Sequence, residues 1–103
     1  MHLYIGTKGH VCALDVKSGS EVWRTDLGHR LVGMDVSLLV ADGRVFAGAG
    51  GYIAALDAQT GAILWTNDLK GLGFNRVALA MLGQSVQYLT PESQPAVIPV
   101  VLK

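Results

Sequence analysis

The chain has 103 residues, which is enough for one modest domain, and half of these residues are hydrophobic. Only 16% are Asp, Glu, Lys or Arg, against a usual share of about a quarter in soluble domains, so we expect an apolar surface that needs a partner. Eight basic residues balance eight acidic ones, and without a basic field we expect no nucleic-acid partner. Cys12 is the single cysteine, which excludes an intrachain disulfide and any multi-cysteine metal site.

Membrane and export signals are missing from the pattern. Glycines and charges interrupt every apolar run before it reaches the roughly 20 residues that cross a bilayer, so we expect no membrane span. Residues 1–6 show no basic leader followed by an apolar stretch, so the sequence predicts no secretory signal and the cytoplasm is the default location.

An internal repeat organises the chain. When the sequence is aligned with itself, residues 3–27 match residues 45–69, and three glycines, two aspartates and one tryptophan of each copy coincide. The elements within each copy are short, β-like and bounded by turn residues. A period of about 40 to 45 residues with such contents predicts the four-stranded blades of a β-propeller, an all-β fold.

In chain order, the predicted elements make about two and a half blades. Residues 3–6, 10–15 and 20–26 are strands b, c and d of a first blade (3–27) that lacks strand a. Residues 34–41, 44–49, 52–57 and 62–67 are the four strands of a second blade (34–69). A partial third blade and tail (75–103) begins with strands at 75–82 and 85–89, and then three prolines leave 96–102 as an edge strand at most.

Eight residues carry the repeat. Each copy has an alanine on strand c, an aspartate and a glycine in the following turn, and a tryptophan on strand d: Ala13, Asp15, Gly19 and Trp23, then Ala55, Asp57, Gly61 and Trp65. An aspartate in such a turn can accept bonds from backbone N–H groups, and glycine supplies a positive φ. A tryptophan on the outer strand can bury about 200 Å² against the next blade, so we expect both rings to fasten blades together.

The pattern Ala-x-Asp-x-x-Ser/Thr-Gly-x-x-x-Trp, at 13–23 and 55–65, resembles the repeat of the PQQ-like β-propellers, the family of quinoprotein alcohol dehydrogenases and outer-membrane-assembly lipoproteins. The resemblance covers about residues 3–89 and implies the propeller fold. It also implies, for the enzymes, a quinone beside adjacent cysteines and a calcium ion on a Glu/Asn/Asp set. This chain has one cysteine and its acidic residues lie mostly in turns and at strand ends, so we predict no cofactor, no metal, no catalytic residues and no enzyme activity, although a degenerate quinoprotein relative stays open.

The segments that connect strand d to the next strand a are the candidate binding loops. In propellers such linkers run towards the central channel, where ligands commonly bind. They carry five polar side chains that are candidates for ligand contacts: His29, Arg30, Lys70, Asn75 and Arg76. The alternative is that these are solvated connections whose glycines only permit the crossing.

The predicted number of blades bears on how the chain assembles and what it does. Two and a half blades cannot close by themselves, so we expect the chain to be its own partner, with residues 75–82 completing the first blade of a neighbour and three or four chains forming the ring. The rival hypothesis is a piece of a larger quinoprotein-like propeller. For function we predict a non-catalytic scaffold or binding module, with another protein as a possible partner; the alternative is a sugar or cofactor bound by the linkers.

Overall fold

A computed structural model describes residues 1–83 of the chain, which form two antiparallel β-sheets. The first sheet has the order β1-β2-β3, with β1 His2–Thr7, β2 His10–Asp15 and β3 Glu21–Asp26. The second has the order β4-β5-β6-β7, with β4 Ser37–Ala41, β5 Arg44–Ala49, β6 Tyr52–Asp57 and β7 Ile63–Asn67. The prediction of an all-β fold is confirmed, with antiparallel sheets of three strands for the first predicted blade and four for the second. We call the two sheets blade 1 and blade 2.

The strand boundaries follow the sequence closely at the centre of each blade. The strands β2, β5 and β6 have the predicted bounds, while β4 begins at Ser37 instead of residue 34. A short 3-10 helix, His29–Leu31, lies in the first linker, where a loop was expected. Residues 75–82 form no strand within the described part, because they pair with none of the seven strands there. The predicted strands at 85–89 and 96–102, and the tail to 103, lie outside the described residues.

Both blades contain the same aspartate turn. In blade 1, the Oδ1 atom of Asp15 accepts hydrogen bonds from two backbone N–H groups, of Lys17 at 2.8 Å and of Ser18 at 3.2 Å. In blade 2, Asp57 Oδ1 accepts the equivalent bonds from Gln59 at 2.8 Å and Thr60 at 3.1 Å. The two turns therefore have the same hydrogen bonds, so the surroundings of one can be compared directly with those of the other.

The core lies between the blades. It combines small and branched side chains from the facing sides of both sheets with one tryptophan: Val11, Ala13, Trp23, Leu27 and Leu31 from blade 1 and its linker, and Val45, Ala47, Ala49, Ala54, Leu56 and Ala58 from blade 2. Glycines let the strands come close, since a Cβ added to Gly6 would lie 2.9 Å from the Cβ of Val36. The same spacing recurs between Gly48 and Val77, which lies beyond blade 2. The segment that begins at Val77 thus lies where strand a of a following blade would begin.

Candidate functional site

The first linker is anchored to blade 1 and presents two exposed side chains. Leu31, at the end of the 3-10 helix, is 1% exposed in the core. The backbone N–H of Gly9 donates to the carbonyl oxygen of Met34 at 2.9 Å, which ties the end of the linker to the β1–β2 turn. His29 and Arg30 precede the buried leucine and are exposed. The anchor therefore fixes the base of a short turn whose polar residues face solvent.

The second linker repeats this anchoring on blade 2. The N–H of Gly51 donates to the carbonyl oxygen of Asn75 at 2.8 Å, as Gly9 does to Met34. Within the linker, the N–H of Leu72 donates to the carbonyl oxygen of Leu69 at 3.0 Å. No buried residue equivalent to Leu31 occurs at this position, because glycine stands at 73 and the following Phe74 is 73% exposed. The second linker therefore offers an aromatic ring to solvent.

Arg30 joins the two linkers. Its Cζ atom lies 5.6 Å from the centre of the Tyr52 ring and 5.8 Å from the centre of the Phe74 ring. Both distances are within the range of cation–π attraction, and such contacts also reduce the freedom of a long side chain. The guanidinium group is thus held over blade 2 while its side chain stays exposed, so its N–H groups can reach an added acceptor.

Two open cavities lie on either side of Phe74. The larger cavity, of about 660 Å³, is lined by Gly33, Met34, Asp35, Gly50, Phe74, Asn75 and Arg76. The smaller cavity, of about 410 Å³, is lined by Arg30, Asp68, Leu69, Lys70, Gly71, Gly73 and Phe74. We call the exposed polar and aromatic side chains around them the linker surface: Arg30, Asp35, Asp68, Lys70, Phe74, Asn75 and Arg76. Small-molecule sites commonly have volumes of about 300 to 1,000 Å³.

The linker surface carries both signs of charge. Arg76 Nε lies 3.6 Å from Asp35 Oδ2, an ion pair that crosses from one linker to the other. Two charged groups on blade 1 have shifted pKa values. Bonds from the backbone N–H groups of Lys17 and Ser18 lower the pKa of Asp15, and a hydrogen bond to Glu21 raises the pKa of Arg24. Over the same range no three His, Cys, Asp or Glu side chains are grouped as metal ligands.

The candidate residues are thus mostly brought together. Arg30 and Lys70 line the smaller cavity, and Asn75 and Arg76 line the larger one. His29 lies on the first linker but borders neither cavity. Sequence reasoning missed the aromatic contacts of Arg30, and the signal in the sequence was a phenylalanine, Phe74, after a glycine in a linker.

The repeat tryptophans occupy two different environments. Trp23 is 9% exposed, and its Nε1–H donates to the carbonyl oxygen of Ala58, in the aspartate turn of blade 2, at 3.2 Å. The Tyr4 hydroxyl donates to the same oxygen at 3.0 Å. Thr25 Oγ1 donates to the carbonyl oxygen of Gly61 at 2.7 Å. We call this set of contacts the blade joint. Trp65, by contrast, is 47% exposed and packs on Phe46, with ring centres 6.1 Å apart.

No helix of residues 1–83 has the length and apolarity that crossing a bilayer would require. A search of curated proteins returned no significant match. The family model described as outer membrane protein assembly factor BamB matches residues 2–96, which is most of the chain and includes both blades and both linkers. On this match, and on the repeated blades, the chain belongs to the BamB family of PQQ-like repeat proteins.

Proposed function

We propose that this chain is a non-catalytic propeller module that binds a partner protein, and that the linker surface holds an acidic, extended segment of that partner. The observation that carries the proposal is the position of Arg30, an exposed residue whose guanidinium group lies near the rings of both Tyr52 and Phe74, where the two linkers meet. The description of the matching family as a protein assembly factor points in the same direction.

The charges favour a carboxylate as the group that is bound. Lys70 borders the same cavity as Arg30, so two cations meet there against the single carboxylate of Asp68. An arginine guanidinium binds a carboxylate through two parallel N–H···O bonds, and a nearby ammonium group adds a second charge-assisted contact. Phe74, 73% exposed between the cavities, provides an apolar surface for a neighbouring side chain of the same peptide.

The non-catalytic part of the proposal rests on the charged groups themselves. Arg76 and Asp35 form an ion pair at 3.6 Å between the linkers, and Arg30 lies beside the rings of Tyr52 and Phe74. The linker surface thus combines this ion pair with exposed aromatic carbon from Phe74, which suits recognition.

The test is an array of short immobilised peptides that vary in charge and aromatic content, probed with the labelled chain. We expect acidic peptides to be retained, and the Arg30→Gln/Lys70→Gln variant to lose them. The control is Arg24→Gln, an exposed arginine on β3 outside the linker surface, which should bind as the original does. Equal binding by the double variant, or no preference for acidic peptides, would contradict the proposal.

A sugar ligand is the second candidate, favoured by one observation. The larger cavity combines the exposed ring of Phe74 with the Asn75 amide and the Asp35 carboxylate, an aromatic face next to two planar hydrogen-bonding groups. A panel of monosaccharides titrated into the labelled chain and followed by NMR separates the two candidates. Shifts confined to the larger cavity and abolished in Phe74→Leu would favour the sugar over the peptide.

A further inference from the structure

In the described part of the chain, blade 2 carries a second copy of the tryptophan half of the blade joint, and this copy is largely exposed. The pair Phe46–Trp65 has ring centres 6.1 Å apart and an interplanar angle of 44°, against 6.0 Å and 40° for Tyr4–Trp23. Yet Trp65 is 47% exposed where Trp23 is 9% exposed. Blade 2 therefore holds its tryptophan in the same arrangement as blade 1, but within residues 1–83 no turn covers Trp65 as the blade 2 turn covers Trp23.

Blade 1 carries the complementary half of the joint, also uncovered. Leu3 is 54% exposed, whereas its repeat partner Val45 is fully buried. Val16 is 52% exposed, whereas Ala58, its counterpart in the aspartate turn of blade 2, is 8% exposed. The counterparts of Ile5, Cys12 and Leu14 are likewise buried in blade 2, while these three side chains are only half-buried in blade 1.

The glycine of the turn shows the same difference at atomic scale. A Cβ added to Gly61 would lie 2.5 Å from the Trp23 ring, because the indole rests on that glycine. A Cβ added to Gly19 would meet nothing within 4 Å. The two turns share their hydrogen bonds and differ in whether an indole covers them, so the blade 1 turn is a preformed seat for a tryptophan.

We infer that the Trp65 face of one chain docks on the Asp15–Gly19 turn of a second copy of the same chain, reproducing between chains the joint seen within one. The two faces are opposite halves of one interface, so each chain presents both and contacts join head to tail. In this arrangement the Nε1–H of Trp65 donates to the carbonyl oxygen of Val16 of the second copy, as Trp23 donates to Ala58.

The segment after the second linker extends the same interface. Val77 lies against Gly48 as Val36 lies against Gly6, so residues 77–82 start where a next strand a belongs. In the first sheet β1 is an edge strand, without the neighbour that β4 provides to β5 in the second. In the pairing of β4 with β5, Val40 lies opposite Val45. Met81 and Leu3 stand at the equivalent repeat positions, so the same register would place Met81 opposite Leu3 of the second copy.

The interface between chains lacks one hydrogen bond of the joint within a chain. Phe46 stands where Tyr4 stands in blade 1, and without a hydroxyl group it cannot make the bond that Tyr4 makes to Ala58. We therefore expect association to be reversible and to depend on protein concentration.

The first test measures mass in solution by light scattering over a concentration series. We expect multiples of the 10.9 kDa chain, and complete loss of the larger species in Trp65→Ala and in Val16→Arg, which change opposite halves of the interface. The control is Val22→Arg. Leu64 stands at the same repeat position in blade 2, and it is 47% exposed although blade 1 packs against that blade. This position therefore lies outside the joint, and the variant should assemble normally. Far-UV circular dichroism verifies that each variant is folded. A wild-type chain that keeps the mass of a single copy at every concentration would overturn the inference.

The second test fixes the register and does not depend on a variant that weakens folding. Chains carrying Leu3→Cys and chains carrying Met81→Cys, both with Cys12→Ser, are mixed and oxidised. We expect a disulfide-linked pair that contains one chain of each kind. The Val40→Cys/Val45→Cys variant is the control for geometry within one chain, because these residues are directly paired. If the control closes and the mixed chains do not, the proposed pairing is wrong.

Discussion

Replacing Trp23 with alanine measures how strongly the two blades hold each other. The indole is 9% exposed, packs beside Tyr4 and donates its N–H to the Ala58 carbonyl oxygen at 3.2 Å. A buried tryptophan replaced by alanine typically lowers the free energy of unfolding by about 3 to 5 kcal/mol. Of this, the hydrogen bond accounts for about 1 kcal/mol and the aromatic pair for about 0.5 to 1.5 kcal/mol. We expect the full loss for Trp23→Ala.

The matched variant is Trp65→Ala. The sequence predicts that both tryptophans fasten blades, and two equally buried indoles would each cost about 3 to 5 kcal/mol on replacement by alanine. In the structure Trp65 is 47% exposed, so at concentrations where the chain is monomeric we expect about half of that loss or less. Trp23→Phe keeps a ring but removes the N–H donor, and it should lose about 1 kcal/mol from that bond, with any packing loss added.

The assay is urea unfolding followed by circular dichroism, which does not depend on indole fluorescence. The slope of the free energy against urea should stay constant, so that a change in midpoint reports stability. Dilution separates the contribution of association, since only an oligomer has a midpoint that depends on concentration. A loss below about 1 kcal/mol in Trp23→Ala, or equal losses for the two tryptophans in the monomer, would refute the reasoning.

Three further predictions concern the turns and the joint. Gly61→Ala should lower the free energy of unfolding by about 1 to 2 kcal/mol more than Gly19→Ala. Both glycines have a positive φ, but only at Gly61 would the new methyl group strike the Trp23 ring. Equal losses in unfolding experiments would contradict this. Thr25→Val should lower the free energy of unfolding by about 1 kcal/mol, because the Gly61 carbonyl oxygen loses its hydrogen-bond donor at 2.7 Å. Thr7→Val, at an exposed position of β1, is the control and should change stability little. Backbone hydrogen bonds lower the pKa of Asp15, so its turn should stabilise the fold above the ordinary value of 3.8 and lose that contribution as the pH falls through the lower folded value; an NMR titration of Asp15 at or above 3.8 would contradict it.

The fold could be predicted from the sequence because the same pattern of strands and turns occurs twice in it. The apolar runs of β2 and β6, each ending in aspartate, predicted bounds that match the structure, since a turn held by a carboxylate and a glycine has few alternatives. The linkers were less predictable. Leu31 enters the core and shapes the 3-10 helix, a tertiary contact that no local pattern announces.

The candidate site was predictable only in part, because position along the chain does not give side-chain contacts. Arg30 and Lys70 were selected as polar residues on equivalent linkers, and they do border one cavity. The rings of Tyr52 and Phe74 around Arg30 come from a strand and a linker that meet only after the blades stack. The different burial of Trp23 and Trp65 was hidden for the same reason, since identical repeats do not have identical neighbours.

The blade joint has a consequence for the order in which the chain folds during synthesis. Trp23 and Thr25 reach acceptors at Ala58 and Gly61, which the ribosome adds 35 and 36 residues later, respectively. A nascent chain that ends within β4 therefore has its first sheet but no cover for the indole, and it is open to unwanted association at that stage. Blade 1 can therefore form the blade joint only after the Asp57–Gly61 turn has left the exit tunnel.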